Sequence, residues 1–372
     1  MDSIFDKFIL NSWYALGRSE DFPEEHLAGH VICERPIVTW RTKAGEVVAY
    51  DDRCAHKRFP LSKGRIMKDG TLECAYHGMR YDTSGKCVMI PSHPTGPISP
   101  AAVMAAYPVI EQDGVVWLWP GDPDKTHLRQ PPRTPEIADP KLESITVGPL
   151  EIASSYFLLL ENVIDITHFY PLHDGNIGDT GTSKIPAEFE EGEKGGNKFV
   201  KILRRTKNYK QSAYYTDWFH HDFVDRHNSQ IILNPGCVRV DTRSWPAGQE
   251  GNDDIERGYS LYHLITPITA KKFIWRVVLS ALVDHMSKGD PTISTCKRIA
   301  SMFPKIAEED KWALEMQQPM MDYPDRGYQE VFLKPDIGIR AYRKVITDLL
   351  REEGQLPSAQ PRQTQAQVAT AS

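Results

Sequence analysis

The chain has 372 residues, 40% hydrophobic and 25% charged, with a formal net charge of −6. This exceeds one typical domain, and the composition supports a buried core without staples. The acidic balance without any basic cluster gives no footprint for nucleic acid or an anionic membrane, and no apolar run approaches the roughly eighteen residues of a bilayer span.

The N-terminus, MDSIFDKFILNSWYALG, places acidic residues where a secretory signal needs basic ones, and no small-residue cleavage site follows. Residues 36–52, PIVTWRTKAGEVVAYDD, alternate apolar and polar side chains around Lys43-Ala44-Gly45, which predicts a β-hairpin. Immediately after it come Cys54 and His56, separated by seventeen residues from Cys74 and His77. Gly78 and the Asp82–Gly85 turn then predict short strands joined by tight loops, so both pairs fall on loops of a small antiparallel β domain.

Two Cys and two His can satisfy a tetrahedral zinc ion, but zinc knuckles ordinarily keep their cysteines together and their histidines together. Here each pair mixes one of each, CxH and then CxxH. That is the ligand set of a Rieske 2Fe–2S centre, in which thiolates hold one iron and imidazoles the other, with potentials of roughly −150 to +300 mV. A chain with such a cluster handles single electrons. The other cysteines, Cys33, Cys87, Cys237 and Cys296, show no framework spacing, which fits a reducing cytoplasm.

From residue 146 the chain changes character, with a long apolar segment, strands rich in Tyr, Trp and Ile, and two helix-like stretches near the end. The expected division is 1–145 for the cluster domain with its N-terminal segment, 146–352 for a second domain and 353–372 for a disordered tail. The acidic, Gly-rich stretches 187–197 and 246–258 read as exposed loops.

The chemistry-bearing stretch of this second part is SYFLLLENVIDITHFYPLHDGN. Asn162, Asp165 and His168 are spaced by three, so a continuous helix would carry them on one face. His173 would lie roughly 140° away at 3.6 residues per turn. Pro171 can break or bend the helix there and bring both imidazoles to one point. Two His and one carboxylate leave open positions on a non-haem Fe(II). In KIAEEDKWALEMQQ the helical wheel puts Asp310 in the middle of the apolar face formed by Ile306, Ala307, Ala313 and Leu314. A charge there needs a metal or an ion-pair partner such as an Arg, and its neighbours Glu308 and Glu309 read as solvated.

In their order and spacing, the CxH…CxxH row, the NxxDxxHxxxxH row and the later acidic helix resemble the oxygenase component (α subunit) of the Rieske non-haem iron oxygenases. The style is that of the vanillate O-demethylase and dicamba monooxygenase branch. The resemblance covers nearly everything but the tail, and NSWYALG and GVVWLWPG share in it. It implies an α+β fold: an N-terminal antiparallel β Rieske domain, then a catalytic domain whose antiparallel sheet is flanked by helices in a helix-grip-like arrangement. It implies that Cys54, His56, Cys74 and His77 bind the 2Fe–2S cluster and that His168, His173 and Asp310 bind a mononuclear iron. Asp165 would then be a carboxylate bridging His168 and the His77 of a neighbouring subunit in a homotrimer. Departures fall at the first loop, where Lys57-Arg58 replaces the family's usual Arg-Gly, and at Met79, where a Trp is common. With Arg in place of Gly, an ordinary backbone conformation is expected at position 58.

No GxGxxG fingerprint occurs, so electrons must come from a separate NAD(P)H-dependent reductase, directly or through a ferredoxin. The expected activity is that of a terminal oxygenase component acting with O₂ on a small aromatic substrate. Resemblance favours monooxygenation, such as hydroxylation or O-demethylation with release of formaldehyde. Ring cis-dihydroxylation is the alternative, and a Rieske electron carrier lacking the second iron is the alternative of another class. Asn162 and His263 are the candidate pocket residues, His263 through a YHLITP run similar to the family's HxLTP; a strand histidine satisfied by backbone would read the same way. His220 and His221 are adjacent, so on a strand at most one could face a cavity.

Overall fold

The computed structural model describes residues 4–178, 181, 184–282, 293–324, 326–327 and 329–358. The N-terminal part is built from ten short strands: β1 Tyr14–Arg18, β2 Ala28–Ile32, β3 Arg35–Arg41, β4 Val47–Asp51, β5 Arg65–Ile66, β6 Leu72–Glu73, β7 Arg80–Tyr81, β8 Cys87–Met89, β9 Val109–Gln112 and β10 Val115–Leu118. They form three small sheets, β2-β3-β4, β5-β6-β7-β8 and β1-β10-β9. The alternating run at 36–52 is the antiparallel β3–β4 pair, with Ile37 facing Asp51 and Arg41 facing Val47. Its turn closes through Thr42 and Glu46 around Gly45, whose φ of 87° is the left-handed conformation that glycine takes without steric cost.

The second part opens with α1 Pro135–Ala138, β11 Leu142–Ile152, α2 Tyr156–Ile164, α3 Phe169–Leu172, β12 Glu188–Lys194, β13 Asn197–Lys210 and α4 Ala213–Trp218. It continues with β14 Phe223–Asn234, β15 Cys237–Pro246, β16 Arg257–Thr269, β17 Lys272–Leu282, α5 Thr295–Asp322 and α6 Ile337–Glu352. Its seven strands make one antiparallel sheet in the order β11-β17-β16-β15-β14-β13-β12. The alternation of β16 assigns the faces, because successive side chains point oppositely. Tyr259, Leu261 and Ile265 join α2, α5 and α6 in one core, while Tyr262 and Leu264 pack with Trp13, Trp117 and Trp119 on the other side. The large sheet is therefore covered by helices on one face and by the β1-β10-β9 sheet on the other.

Three sequence expectations change in detail. The acidic stretch 187–197 is not a loop: β12 pairs with β13 through a turn at Gly195 and Gly196, forming an edge hairpin. The boundary placed at 145/146 falls inside β11, which begins at Leu142. Residues just past α6 are anchored, since the Glu353 carboxylate accepts from the N–H groups of Leu10 (3.0 Å) and Asn11 (2.6 Å) and Gln355 donates to the Phe8 carbonyl. Of the expected tail, residues 359–372 lie outside the described residues. No described helix is long and apolar enough to cross a membrane.

Candidate metal centres

The first centre sits on the loops that follow β4 and β6. Each is closed by the same pair of backbone hydrogen bonds. Cys54 N–H donates to the Phe59 carbonyl and Arg58 N–H to the Cys54 carbonyl, just as Cys74 N–H donates to Met79 and Gly78 N–H to Cys74. The fourth residue after each cysteine must therefore be left-handed. Gly78 has φ 71°, and Arg58 has φ 53°. The ordinary conformation expected at Arg58 is thus not adopted, because the loop's hydrogen bonding sets the backbone and the side chain has to follow.

Cys54 and Cys74 are buried at 2% and 1% exposure, whereas His56 and His77 are exposed, with ring centroids 4.4 Å apart. The Cys74 thiol is raised by burial, lowered by the backbone N–H groups of Tyr76 and His77, and raised further by the adjoining Cys54 thiol. The four groups thus divide into a buried thiol pair and a surface imidazole pair. That division suits a two-iron cluster rather than the single tetrahedron of zinc. Sequence reasoning missed Tyr81, whose hydroxyl lies 3.2 Å from Cys54 Sγ and accepts from Ala55 N–H.

The second centre begins where α2 stops. The row Asn162, Asp165, His168 does not share one helical face as expected, because Asp165 is extended (φ −104°, ψ 108°) and caps a new 3₁₀ turn at Ile166–His168. Its Oδ1 accepts from Thr167 N–H (2.9 Å) and its Oδ2 from the Thr167 hydroxyl (2.7 Å). This local competition for the backbone is the ordinary behaviour of an Asp at a helix boundary. The chain then turns through α3, whose third residue is Pro171, and leaves His173 just past its end. The His168 and His173 rings come to 5.3 Å between centroids.

Across from them α5 presents Asp310, 6% exposed, on its buried stripe with Ile306, Ala307 and Leu314. Asp310 Oδ1 lies 3.5 Å from His168 Nε2 and 3.2 Å from His173 Nε2, and accepts from Asn162 Nδ2 at 3.0 Å. Among the described residues, these are the only three His, Cys, Asp or Glu side chains whose ligand atoms all fall within 4.8 Å of one another. Although burial pushes the Asp310 carboxyl upward, the two imidazoles outweigh it and hold the group well below the carboxylate range.

Glu309, read from the sequence as solvated, instead holds the far side of His173: its Oε2 is 2.7 Å from Nδ1. With the Nδ1 proton engaged by Glu309, the His173 Nε2 lone pair points at Asp310, buried and without a hydrogen-bond partner. An orphaned buried imidazole nitrogen beside a second imidazole and a carboxylate fits a bound metal cation.

This triad lies on the wall of a largely apolar cavity, with Val163, Phe169, Leu261 and Phe303 among its lining. His263 on β16 lines it too. Burial pulls its pKa down to about 4, so the ring is neutral near pH 7. Its Nδ1 accepts from the Trp275 indole N–H at 3.2 Å, which leaves the proton on Nε2, buried and unpartnered. A side chain, not backbone, satisfies this strand histidine. His220 and His221 both lie outside strands, are exposed and line no part of the cavity.

Two family profiles match the chain: the Rieske 2Fe–2S domain over residues 12–108 and the vanillate O-demethylase oxygenase C-terminal domain over residues 152–352. A putative toluene-4-sulfonate monooxygenase system iron-sulfur subunit of Comamonas testosteroni is 29% identical, covering 93% of this chain and 98% of that protein. The vanillate O-demethylase oxygenase subunit of a Pseudomonas species is 28% identical over 95% of this chain and 98% of its own length. In structure, dicamba monooxygenase bound to dicamba superimposes with a TM-score of 0.82 at 24% identity, over 93% of this chain and 99% of that one. At that identity, the superposition establishes the fold.

Proposed function

This chain belongs to the Rieske non-haem iron oxygenases with a catalytic domain of the vanillate O-demethylase type, and from that premise we propose how its own residues divide the work. It is an oxidoreductase and the oxygenase component of its system, with a 2Fe–2S cluster and a mononuclear iron as cofactors. In our reading Cys54, His56, Cys74 and His77 hold the cluster, and His168, His173 and Asp310 hold the mononuclear iron. The observation that carries the reading is the Asp310 carboxylate, buried between two imidazoles on the wall of a largely apolar cavity.

A ferrous ion held there supplies reductive activation of O₂ beside substrate. Glu309 fixes the tautomer of His173 and turns its Nε2 toward the metal position. Asn162 orients Asp310 from the cavity side. His263 presents a neutral Nε2–H donor to an oxygen of the substrate, and the apolar walls exclude water and select a small aromatic body.

The substrate reaction is monooxygenation, hydroxylation of a methyl group on oxygen or nitrogen with loss of formaldehyde. Electrons enter through the cluster domain, whose ligand imidazoles His56 and His77 reach the surface. Their source is an NAD(P)H-dependent reductase, directly or through a ferredoxin. Exposure of both imidazoles also supports assembly as a homotrimer, with the cluster of one chain facing its neighbour. Asp165 is the proposed link, since only two of the roughly four acceptor positions of its carboxylate are taken by Thr167. The four buried cysteines outside the cluster pairs, Cys33, Cys87, Cys237 and Cys296, are unpaired and support a reducing, cytoplasmic location.

The test is a screen of methoxy- and N-methyl aromatics with a surrogate reductase. Formaldehyde formed in proportion to NADH oxidised is the expected result. A cis-diol product without formaldehyde would replace monooxygenation by ring dihydroxylation.

A further inference from the structure

Only two arginines are buried among the described residues, Arg204 and Arg226, and both line a second, small chamber. It shares Ile166, Phe169, Ile177, Tyr215 and Asn228 with the wall of the cavity at the triad, so the two chambers adjoin across these side chains. The two cations are employed differently. Arg226 donates to Ser244 Oγ and Gln211 Oε1, and its guanidinium lies 3.6 Å from the centroid of the Tyr215 ring.

Arg204, 3% exposed, makes one long contact, from Nη1 to Gln230 Oε1 at 3.5 Å, and has no carboxylate within 4.0 Å among the described residues. A guanidinium has five N–H donors in a planar fork, and a buried one without a counter-ion is costly. Burial lowers the pKa of Arg204, with Asp165 the one carboxylate whose field opposes this, and the Asp165 oxygens are turned to Thr167. On β13, Arg204 stands opposite Asn228 of β14, a residue common to both chambers.

We propose that the substrate carries an anionic group, carboxylate or sulfonate, and that the Arg204 fork binds it in this second chamber while the group to be oxidised lies at the triad. Gln230 positions the fork, and a carboxylate or sulfonate supplies the paired acceptor oxygens that the guanidinium lacks. The inference deepens the oxygenase reading and rests on it. Neutral aromatics of the same shape would leave the buried cation unpaired, so discrimination against them arises from the protein's own unmet charge.

The experiment is equilibrium binding to the purified holoenzyme without reductant, by calorimetry, using 4-methoxybenzoate and 4-methoxybenzenesulfonate against 4-methoxybenzamide. At least one anion is expected to bind about tenfold or more tightly than the amide. Arg204→Gln should reduce that preference to less than about threefold, and Arg204→Lys, which keeps the charge without the fork, should retain part of it. Equal binding of acid and amide by the unaltered protein, or no binding of either anion, overturns the proposal. So does an anion preference that survives in Arg204→Gln or, should that variant fail to fold, is undiminished in Arg204→Lys. Failure of the oxygenase reading looks different: no mononuclear iron, and no O₂ uptake with acid or amide.

Discussion

Glu309 and His173 form a 2.7 Å contact between Oε2 and Nδ1, and the next residue on the same helix, Asp310, faces the other nitrogen of that ring at 3.2 Å. Consecutive helix residues thus grip one imidazole from both sides, about 100° apart around α5. The consequence is a fixed tautomer. Glu309→Ala should weaken retention of the mononuclear iron by about 10–100-fold while leaving the cluster spectrum unchanged. Glu309→Gln, which still accepts from Nδ1, should lose less. Iron remaining per chain after timed exposure to a chelator measures both.

Asp165 closes the turn that delivers His168, and in our reading its spare lone pairs carry the link to a neighbour's cluster. Asp165→Asn keeps an acceptor for Thr167 N–H, so both metals should stay bound and the fold should hold. Single-turnover electron transfer from cluster to iron should fall by at least about tenfold, given the usual cost of losing a carboxylate partner to a ligand imidazole. Unaltered single-turnover rates would remove Asp165 from the path.

Arg58 occupies a left-handed position that its counterpart fills with Gly78. Arg58→Gly and Arg58→Ala both remove the charge, but only glycine relieves the backbone. The glycine variant should be more stable than the alanine variant by about 1 kcal/mol, read as a difference in thermal or denaturant unfolding of the cluster-loaded protein.

His30 is a partly buried imidazole whose pKa is brought down to about 4, first by burial and then by Arg276. Because the unfolded chain titrates near 6.5, it binds more protons than the folded one between these values. Stability is therefore fully present above about 6.5 and declines as the pH falls toward 4. His30→Gln should flatten that decline by roughly 1–2 kcal/mol, measured as the pH dependence of denaturant unfolding.

Most of the electron-handling part was legible in the sequence because its ligands lie close together in the chain and on loops. Cys54 to His77 is one short stretch, and the alternation around Gly45 placed it beside a hairpin. The triad was legible in its members for a different reason: His168 and His173 are close in the chain, and Asp310 stood out as a charge on an apolar stripe, although the helix breaks at Asp165 and not at Pro171. Glu309 was hidden because it looks like Glu308 next to it, and only the approach of His173 distinguishes them. Arg204 was hidden because a strand arginine in an alternating, polar-rich segment reads as exposed. The pairing of β13 with β14 and the helices above them determine that it is buried. The break at Asp165 was missed because its own side chain, accepting from Thr167, caps a new turn and overrides the three-residue spacing.

In our reading the chain joins a Rieske cluster to a second iron at His168, His173 and Asp310. Iron and acid-labile sulfide per chain, measured together with the visible spectrum in the unaltered protein and in His168→Ala, test it most directly. About three irons and two sulfides are expected in the first, and about two of each with an unchanged Rieske spectrum in the second. Only two irons in the unaltered protein, or a third iron that persists in His168→Ala, would contradict it.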